Sequence, residues 1–151
     1  MTSPTIRFWA NVDKTDTCWN WTGTIINNGY GKATYGGKQT VAHRVSYELT
    51  GATIPDGMFL DHTCHNRACV RPDHLRVVTR KENCENLTGA YGNSKSGVRG
   101  VYRQGNRWRA GVRHNGKQIQ AGSFLTIEEA EAAVIALRLR LFTHNDSDRA
   151  A

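Results

Sequence analysis

The segment 60–83 constrains this chain most, because it concentrates metal-binding side chains in a short stretch. Cysteine sulfur and imidazole nitrogen are zinc ligands, and they recur at short intervals as Cys64, Cys69 and His74. A chain of 151 residues buries a small core, so a metal that cross-links a loop adds stability where packing supplies little. The spacing therefore predicts a loop closed by structural zinc.

The same segment carries a second set of side chains with different chemistry. Asp61 and Asn83 offer oxygen atoms of the kind that Mg²⁺ and Mn²⁺ prefer. His62 lies beside Asp61, and an ordinary histidine, with a pKa of ~6.5, is largely an unprotonated base at neutral pH. Hydrolysis of a phosphodiester needs such a base and a cation that stabilises the leaving oxygen, so these three residues are a candidate catalytic site.

Four cysteines and the start of the chain bear on the cellular compartment. Residues 1–9 contain no basic segment leading into an apolar run, so we expect no secretory signal, and no later segment is apolar enough for a membrane span. A reducing cytosol, including that of a host cell if the chain is phage-encoded, follows as an expectation. Cysteines there bind metals or remain thiols.

The net charge of +7 is unevenly distributed. Residues 1–88 hold ten Lys/Arg and eight Asp/Glu, whereas residues 89–151 hold ten and five. Such an excess favours a polyanionic partner, and without a lipid-facing segment we expect nucleic acid. Between the halves, residues 88–95 are rich in small and turn-forming residues and are predicted to form a linker.

Sequence patterns place the candidate residues on secondary structure. Aromatic residues alternating with glycine predict short hairpin strands before residue 40. An apolar stripe predicts a helix over 41–49, which carries Arg44. Strands are predicted at 58–62 and 75–78, flanking the cysteine loop, and a Thr79-x-x-Glu82 capping box predicts a helix that carries Asn83.

This order of strand, cysteine loop, strand and helix resembles the His-Me finger, or HNH, endonucleases, in particular zinc-stapled members from phages and mobile elements. The resemblance covers most of residues 6–87 and includes Cys18-Trp19-Asn20-Trp21, Ala42-His43-Arg44 and Leu60-Asp61-His62. It implies a ββα-metal fold and a DNA endonuclease that leaves 5′-phosphate and 3′-hydroxyl ends. Many relatives have Asn where this chain has Arg71 before Pro72.

The resemblance also implies roles for individual residues. His62 becomes the general base, Asp61 and Asn83 the ligands of one Mg²⁺ or Mn²⁺ ion. The implied zinc ligands are Cys18, Cys64, Cys69 and His74.

Two assignments remain open at the level of sequence. Cys84 competes with Cys18 as the fourth zinc ligand, and His65 lies in the same loop. Arg44 presents a planar donor fork suited to the scissile phosphate, but a solvated charge on the helix surface explains it nearly as well.

The C-terminal half shows a regular alternation. Over residues 107–113 the even positions are apolar and the odd ones are arginine or glycine, which predicts a strand with one core face and one cationic face. A first strand containing Arg99, Val101 and Arg103, a tight turn at 114–116 and a third strand at 117–124 complete a sheet. Thr126 and Glu129 form a capping box that opens a helix with an apolar stripe.

This sheet and helix resemble the plant APETALA and ethylene-response-factor type of DNA-binding domain over residues 96–142. In that family the sheet lies in the major groove, so its polar face implies DNA contacts. Gly111, Gln118 and Gln120 differ from the residues usual in the plant domains, so the plant target sequence does not transfer. The candidate DNA-binding residues are Arg99, Arg103, Arg107, Arg109, Arg113, Gln118 and Gln120.

The sequence thus predicts an α+β protein with a nuclease domain at 1–87, a linker at 88–95, a DNA-binding domain at 96–142 and a tail at 143–151. The expected function is a metal-dependent endonuclease of homing or other phage-encoded type, acting on double-stranded DNA. The alternative is a non-catalytic, zinc-stabilised DNA-binding regulator. Neither a monomer nor a homodimer is favoured.

Overall fold

The computed structural model describes residues 3–150, and its chain divides into two compact units, 1–80 and 81–151. Both units mix short helices with small antiparallel sheets, as expected for the α+β class. Met1, Thr2 and Ala151, which are the outer ends of the predicted nuclease domain and tail, lie outside the described residues. No helix within residues 3–150 is long and apolar enough to cross a membrane.

Over its described residues, 3–80, the first unit contains three two-stranded sheets, two α-helices and one 3₁₀ turn. Its elements in chain order are α1 (Pro4–Trp9), β1 (Val12–Lys14), β2 (Trp19–Trp21), β3 (Lys32–Tyr35), β4 (Lys38–Val41), α2 (Ala42–Glu48), β5 (Phe59–His62), a 3₁₀ turn (Pro72–His74) and β6 (Leu75–Val78).

Glycine shapes the packing of the aromatic core in this unit. Trp21 is buried with Phe8 and Val45 in one apolar cluster. A Cβ atom added at Gly31 would lie 2.6 Å from the Trp21 ring, so only glycine lets the backbone approach the indole this closely. The alternation of aromatic residues with glycine therefore reflects core packing.

The predicted strands on either side of the cysteine loop are confirmed. Strand β5 pairs antiparallel with β6, which places His62 opposite Leu75 and Asp61 opposite Arg76. The intervening residues 63–74 return the chain to the start of β6. Asp61 and His62 are thus the last two residues of β5 and lie at the end of the hairpin where the cysteine loop begins.

In the described part of the second unit, up to residue 150, there are one three-stranded sheet, β7-β8-β9, and three helices. Its elements are α3 (Arg80–Glu85, beginning at the last residue of the first unit), β7 (Val101–Gln104), β8 (Arg107–His114), β9 (Lys117–Phe124), α4 (Ile127–Leu141) and α5 (Asp146–Arg149). The predicted sheet, the helix after Thr126 and its capping box are all present.

Helix α4 covers the apolar face of the sheet. Ala110 and Val112 of β8 pack against Ala130, Val134 and Leu137 of the helix in one buried cluster. The tight turn predicted at 114–116 is present at Asn115 and Gly116, which both have positive φ (49° and 77°), while His114 is the last residue of β8. The alternation in 107–113 therefore correctly separates a core face from an outer face.

The predicted first strand needs two corrections. Strand β7 begins at Val101, so Arg99 lies in the preceding turn. Arg103 is on the strand and pairs with Trp108, whose ring packs against the core cluster. The guanidinium carbon of Arg103 is 5.1 Å from the centroid of the Trp108 ring. Because cross-strand partners share a face, Arg103 lies on the opposite face from Arg109.

Candidate metal centre, histidine pair and basic sheet face

Four side chains of the first unit converge as a candidate metal centre. The ligand atoms of Cys18, Cys64, Cys69 and His74 all lie within 4.8 Å of one another. The Nδ1 atom of His74 is 3.8 Å from the Cys18 sulfur and 3.6 Å from the Cys69 sulfur. The cysteines are free thiols, and three sulfurs with one imidazole form a donor set suited to tetrahedral zinc. This cluster could therefore hold a metal ion such as zinc.

The competing ligands lie outside the cluster. Cys84 is exposed on α3 in the second unit. His65 has a left-handed backbone, with φ of 56°, and its ring nitrogen is not part of the group. The geometry thus groups Cys18, and not Cys84, with the loop ligands.

Backbone pairing brings Cys18 to the cysteine loop. Strand β2 follows Cys18 directly, and Trp21 N–H donates to the Ala68 carbonyl at 2.8 Å while Val70 N–H donates to the Trp19 carbonyl at 2.7 Å. In this arrangement the thiol of Cys69 is buried and those of Cys18 and Cys64 are partly buried. Burial raises the pKa of Cys64 to about 12, and the neighbouring Cys69 and Cys18 contribute in the same direction.

His62 is held in a defined orientation by the same loop. Its side chain is 5% exposed, and its Nε2 atom lies 2.9 Å from the Cys69 carbonyl oxygen. A carbonyl only accepts, so Nε2 carries the hydrogen and the lone pair of the neutral ring is on Nδ1. Burial lowers the pKa of His62, although the Cys69 carbonyl and Asp61 oppose that shift. The ring is therefore held in its unprotonated form at neutral pH.

A second histidine packs against His62, and the sequence patterns did not single it out as functional. The rings of His43 and His62 are 4.9 Å apart in an edge-on arrangement, and Tyr30 contacts both. Burial lowers the pKa of His43 to about 3, helped by the charges that His62 and Arg44 carry when protonated. His43 lies beside the apolar stripe of α2, where helical spacing alone does not decide between burial and exposure.

Asp61 is paired with an arginine across the hairpin. Its Oδ2 atom accepts hydrogen bonds from Arg76 Nε at 3.1 Å and Nη2 at 2.9 Å, and its side chain is 11% exposed. Carboxylate oxygens fit a divalent cation, so Arg76 would share this carboxylate with any bound ion. Sequence patterns gave no indication of Arg76, because its place opposite Asp61 depends on the register across a twelve-residue loop.

The remaining predicted nuclease residues, Asn83 and Arg44, lie on helices. Asn83 is half-buried on α3 and belongs to the second unit, whereas Asp61 and His62 belong to the first. Arg44 is 43% exposed on α2 and lies 4.0 Å from Glu48 in an ion pair one helical turn away. Its surface position leaves both sequence interpretations of Arg44 in place.

The outer face of the β7-β8-β9 sheet carries most of the predicted DNA contacts. Register places Arg109 opposite Tyr102 and Ser123, and Arg113 opposite Gln118. Residues 86–127 contain no Asp or Glu, so this face is cationic without compensation from its own strands. The outer-face members of the predicted set are Arg107, Arg109, Arg113, Gln118 and Gln120.

Arg99 is engaged within its own unit. Its guanidinium donates to the carbonyls of Glu85 at 3.1 Å and Cys84 at 2.8 Å, and also to the Leu87 carbonyl. These bonds tie the turn before β7 to the end of α3. Arg99 therefore has a structural role that its position in a basic stretch did not reveal.

Comparison with known proteins identifies the class of the central segment. Residues 40–84 match the sequence profile of the HNH endonuclease family, so this part of the chain carries an HNH endonuclease domain. The match runs from β4 to α3 and includes Arg44, Asp61, His62 and Asn83. It covers under a third of the chain, and supports a nuclease-type function at the level of the family.

Three phage proteins are similar to this chain over part of its length. Protein 7.7 of Escherichia phage T7 is 37% identical over 70 residues, which are 46% of this chain and 54% of that protein. Protein 2.8 of the same phage is 36% identical over 72 residues, 46% of this chain and 48% of that protein. An uncharacterized gene 5.3 protein of Enterobacteria phage T3 is 35% identical over 46 residues, 30% of this chain and 46% of that protein.

The chain thus spans about half the length of the curated relatives it matches. No solved structure matches it.

Proposed function

We propose that this protein is a metal-dependent DNA endonuclease in which a zinc-stapled ββα-metal module cuts and a C-terminal sheet module holds double-stranded DNA. The observation that carries the proposal is the orientation of His62 by the Cys69 carbonyl, within a segment that matches the HNH endonuclease family. The module limits remain those of the sequence prediction: nuclease domain 1–87, linker 88–95, DNA-binding domain 96–142 and tail 143–151.

His62 acts as the general base in this proposal. The Nε2 hydrogen is engaged by Cys69, so the Nδ1 lone pair is the one that accepts a proton from water. A lowered pKa keeps that lone pair available at neutral pH. The attacking water is thereby deprotonated beside the phosphodiester, and hydrolysis leaves 5′-phosphate and 3′-hydroxyl ends.

Asp61 and Asn83 supply oxygen ligands for one divalent cation, Mg²⁺ or Mn²⁺. Such an ion, when bound, stabilises the negative charge on the phosphate and the leaving oxygen. Asp61 is oriented by Arg76, which restricts the carboxylate to one arrangement. Arg44 contacts the scissile phosphate through its guanidinium fork.

Cys18, Cys64, Cys69 and His74 bind one structural zinc ion. Their spacing within 4.8 Å and their soft donor atoms support the assignment. The zinc closes the loop 63–74 onto the strand after Cys18. Because Cys69 also supplies the carbonyl that orients His62, the zinc loop positions the general base.

The outer sheet face binds DNA through Arg107, Arg109, Arg113, Gln118 and Gln120. Cationic side chains without neighbouring carboxylates attract the phosphate backbone. Arg99 and Arg103 remain proposed DNA contacts outside this face: Arg99 also donates to backbone carbonyls, and the exposed Arg103 lies beside Trp108.

The relatives are phage proteins, which supports a phage-encoded nuclease of homing or related type that acts in the cytosol of the infected cell.

A plasmid cleavage assay tests the enzymatic part of the proposal. Supercoiled DNA with Mg²⁺ should be cut by the wild-type protein and not by His62→Ala. His65→Asn is the matched control, because His65 lies in the same loop and asparagine tolerates its left-handed backbone. If wild type binds DNA and never cuts it, the non-catalytic regulator is the correct function.

A further inference from the structure

The outer face of the C-terminal sheet contains a depression of about 410 Å³ that the proposed function does not yet explain. Its floor is the backbone of Gly100 and Gly111, where Gly111 N–H donates to the Gly100 carbonyl at 2.9 Å. Its walls include Tyr102, Arg113, Gln118 and Gln120. The cationic face is thus concave at the two glycines, Gly100 and Gly111, which have no side chains to fill the depression.

Two glutamine amides converge over this floor. A Cβ atom placed on Gly111 would lie 3.0 Å from Gln118 Nε2 and 3.0 Å from Gln120 Oε1. Both amides therefore occupy the space that any other residue at position 111 would fill. Cross-strand pairing of Gly111 with Gln120, and of Arg113 with Gln118, keeps this group on one face.

The amides are available to a ligand. Both glutamine side chains are exposed, and neither makes a hydrogen bond to any residue from 3 to 150. By contrast, the Oε1 atom of Gln104, on the same face, already accepts from Arg109 Nε at 2.8 Å. Gln118 and Gln120 are thus side-chain amides of the outer face whose donors and acceptors are both free among the described residues, next to the cationic Arg113.

The chemistry of an amide selects one DNA base. A glutamine offers a donor and an acceptor side by side, and the major-groove edge of adenine offers the matching acceptor N7 and donor N6. Guanine presents two acceptors there, and cytosine presents only a donor, so neither forms the same paired contact. We propose that Gln118 and Gln120 read adenine in duplex DNA, with the missing side chain of Gly111 leaving room for the two amides to converge. This inference rests on the proposed DNA binding by the sheet and names its base specificity.

Selection from random duplex DNA tests the inference. The full chain, carrying His62→Ala to prevent cutting, is bound to the library without Mg²⁺, and the recovered sequences are compared. We expect enrichment of adenine at one or two fixed positions, with a preference of about tenfold over other bases. Gln118→Leu with Gln120→Leu should abolish that preference, while affinity for random-sequence DNA is retained because the arginines remain.

Two further variants sharpen the result. Gln104→Leu is the matched control, since its amide is already engaged, and it should keep the adenine preference. Gln120→Glu removes the donor and should shift the preference toward cytosine, whose N4 donates.

The possible outcomes separate the two proposals. Binding without adenine enrichment, or enrichment that survives the double leucine variant, overturns the inference and leaves the endonuclease proposal standing. Absence of all duplex binding contradicts the DNA-binding module and the inference with it. Specific binding by a wild-type protein that never cuts contradicts only the enzymatic part.

Discussion

Buried histidines at the end of β5 and on α2 are costly to protonate. The side chains of His43 and His62 are 7% and 5% exposed, and each ring contacts the other and Tyr30. A proton on either ring would be desolvated and close to another imidazole. Burial therefore favours the neutral form of both rings at neutral pH.

The lowered pKa of His43 predicts an acid-sensitive fold. In the unfolded chain His43 takes up a proton near its ordinary pKa of 6.5, whereas the folded protein resists protonation down to about 3. The unfolded state therefore binds more protons in this range, and the free energy of unfolding falls as pH drops from 6.5 toward 3. The loss from this residue alone is on the order of 5 kcal/mol.

Urea denaturation across that pH range measures this contribution. His43→Phe keeps a buried ring and removes the titration, so its stability should fall less steeply with acid than that of wild type. His144→Phe, at a half-buried histidine of the second unit, is the control. Equal slopes for wild type and His43→Phe would contradict the assignment.

Individual site residues differ in how far the sequence could locate them. His62, Asp61 and the loop ligands follow from residue type and short spacing, which need no knowledge of distant contacts. Arg76 and His43 could not be found this way, because one depends on strand register and the other on the packing of α2. The roles of His62, Asp61, Asn83 and Arg44 stay predictions.

At the scale of elements, the metal cluster joins strand β2 to the cysteine loop across some fifty residues of sequence. Among the described residues, Cys18 is the one cluster ligand that lies outside the loop 63–74. A metal bound to all four ligands would therefore cross-link the loop to the segment before β2. Cys84, on α3, lies outside the cluster. The two cysteines are thus a matched pair for testing the centre.

We expect one tightly bound zinc ion per wild-type chain. Cys18→Ser should weaken zinc binding by orders of magnitude, because a four-ligand site loses one thiolate. Cys84→Ser should bind zinc as wild type does. Metal analysis after dialysis against a chelator gives the measurement, and loss of zinc from Cys84→Ser with retention by Cys18→Ser would reverse the assignment.

The N-terminus of α4 offers a simpler energetic test. Thr126 accepts from Glu129 N–H at 3.2 Å, and the Glu129 carboxylate accepts from Thr126 N–H at 3.3 Å. Thr126→Ala removes half of this capping box and should lower the free energy of unfolding by about 1 kcal/mol. Thr126→Ser should retain most of it. Urea denaturation distinguishes the two, and an unaffected alanine variant would contradict the capping role.

The sheet shows both the strength and the limit of sequence periodicity. Alternation in 107–113 correctly assigned Trp108, Ala110 and Val112 to the core side, because strand geometry alone fixes that pattern. Alternation along β7 places the side chain of Arg103 on the same side of the sheet as Val101. The predicted DNA contact of Arg103 depended on its positive charge and did not take this alternation into account. The bonds of Arg99 could not be predicted from periodicity, since its carbonyl partners precede it by twelve to fifteen residues.

On the scale of the whole molecule, the end of α3 is packed into the second unit. Glu85 is 4% exposed, and its Oε2 atom accepts from Thr143 N–H at 2.9 Å. Asn86 Oδ1 accepts from Asp146 N–H at 3.0 Å. These contacts start before the segment 88–95, so the compact unit 81–151 includes residues on both sides of the predicted linker, which stays a prediction.

These contacts predict where a stable C-terminal fragment begins. A fragment of residues 81–151 should unfold cooperatively, because it contains its own apolar core and the residues that bond to Glu85 and Asn86. A fragment of 96–151 should be less stable, because Thr143 and Arg99 lose their partners. Thermal unfolding of the two compares them directly, and equal stability would show that 81–95 contributes nothing.

The double use of Cys69, as a cluster thiol and as the carbonyl partner of His62, has a consequence for the life of the chain. Under the proposed function, a newly made molecule that has not yet acquired zinc lacks a fixed general base. Nuclease activity would then begin only after metal uptake and folding are complete.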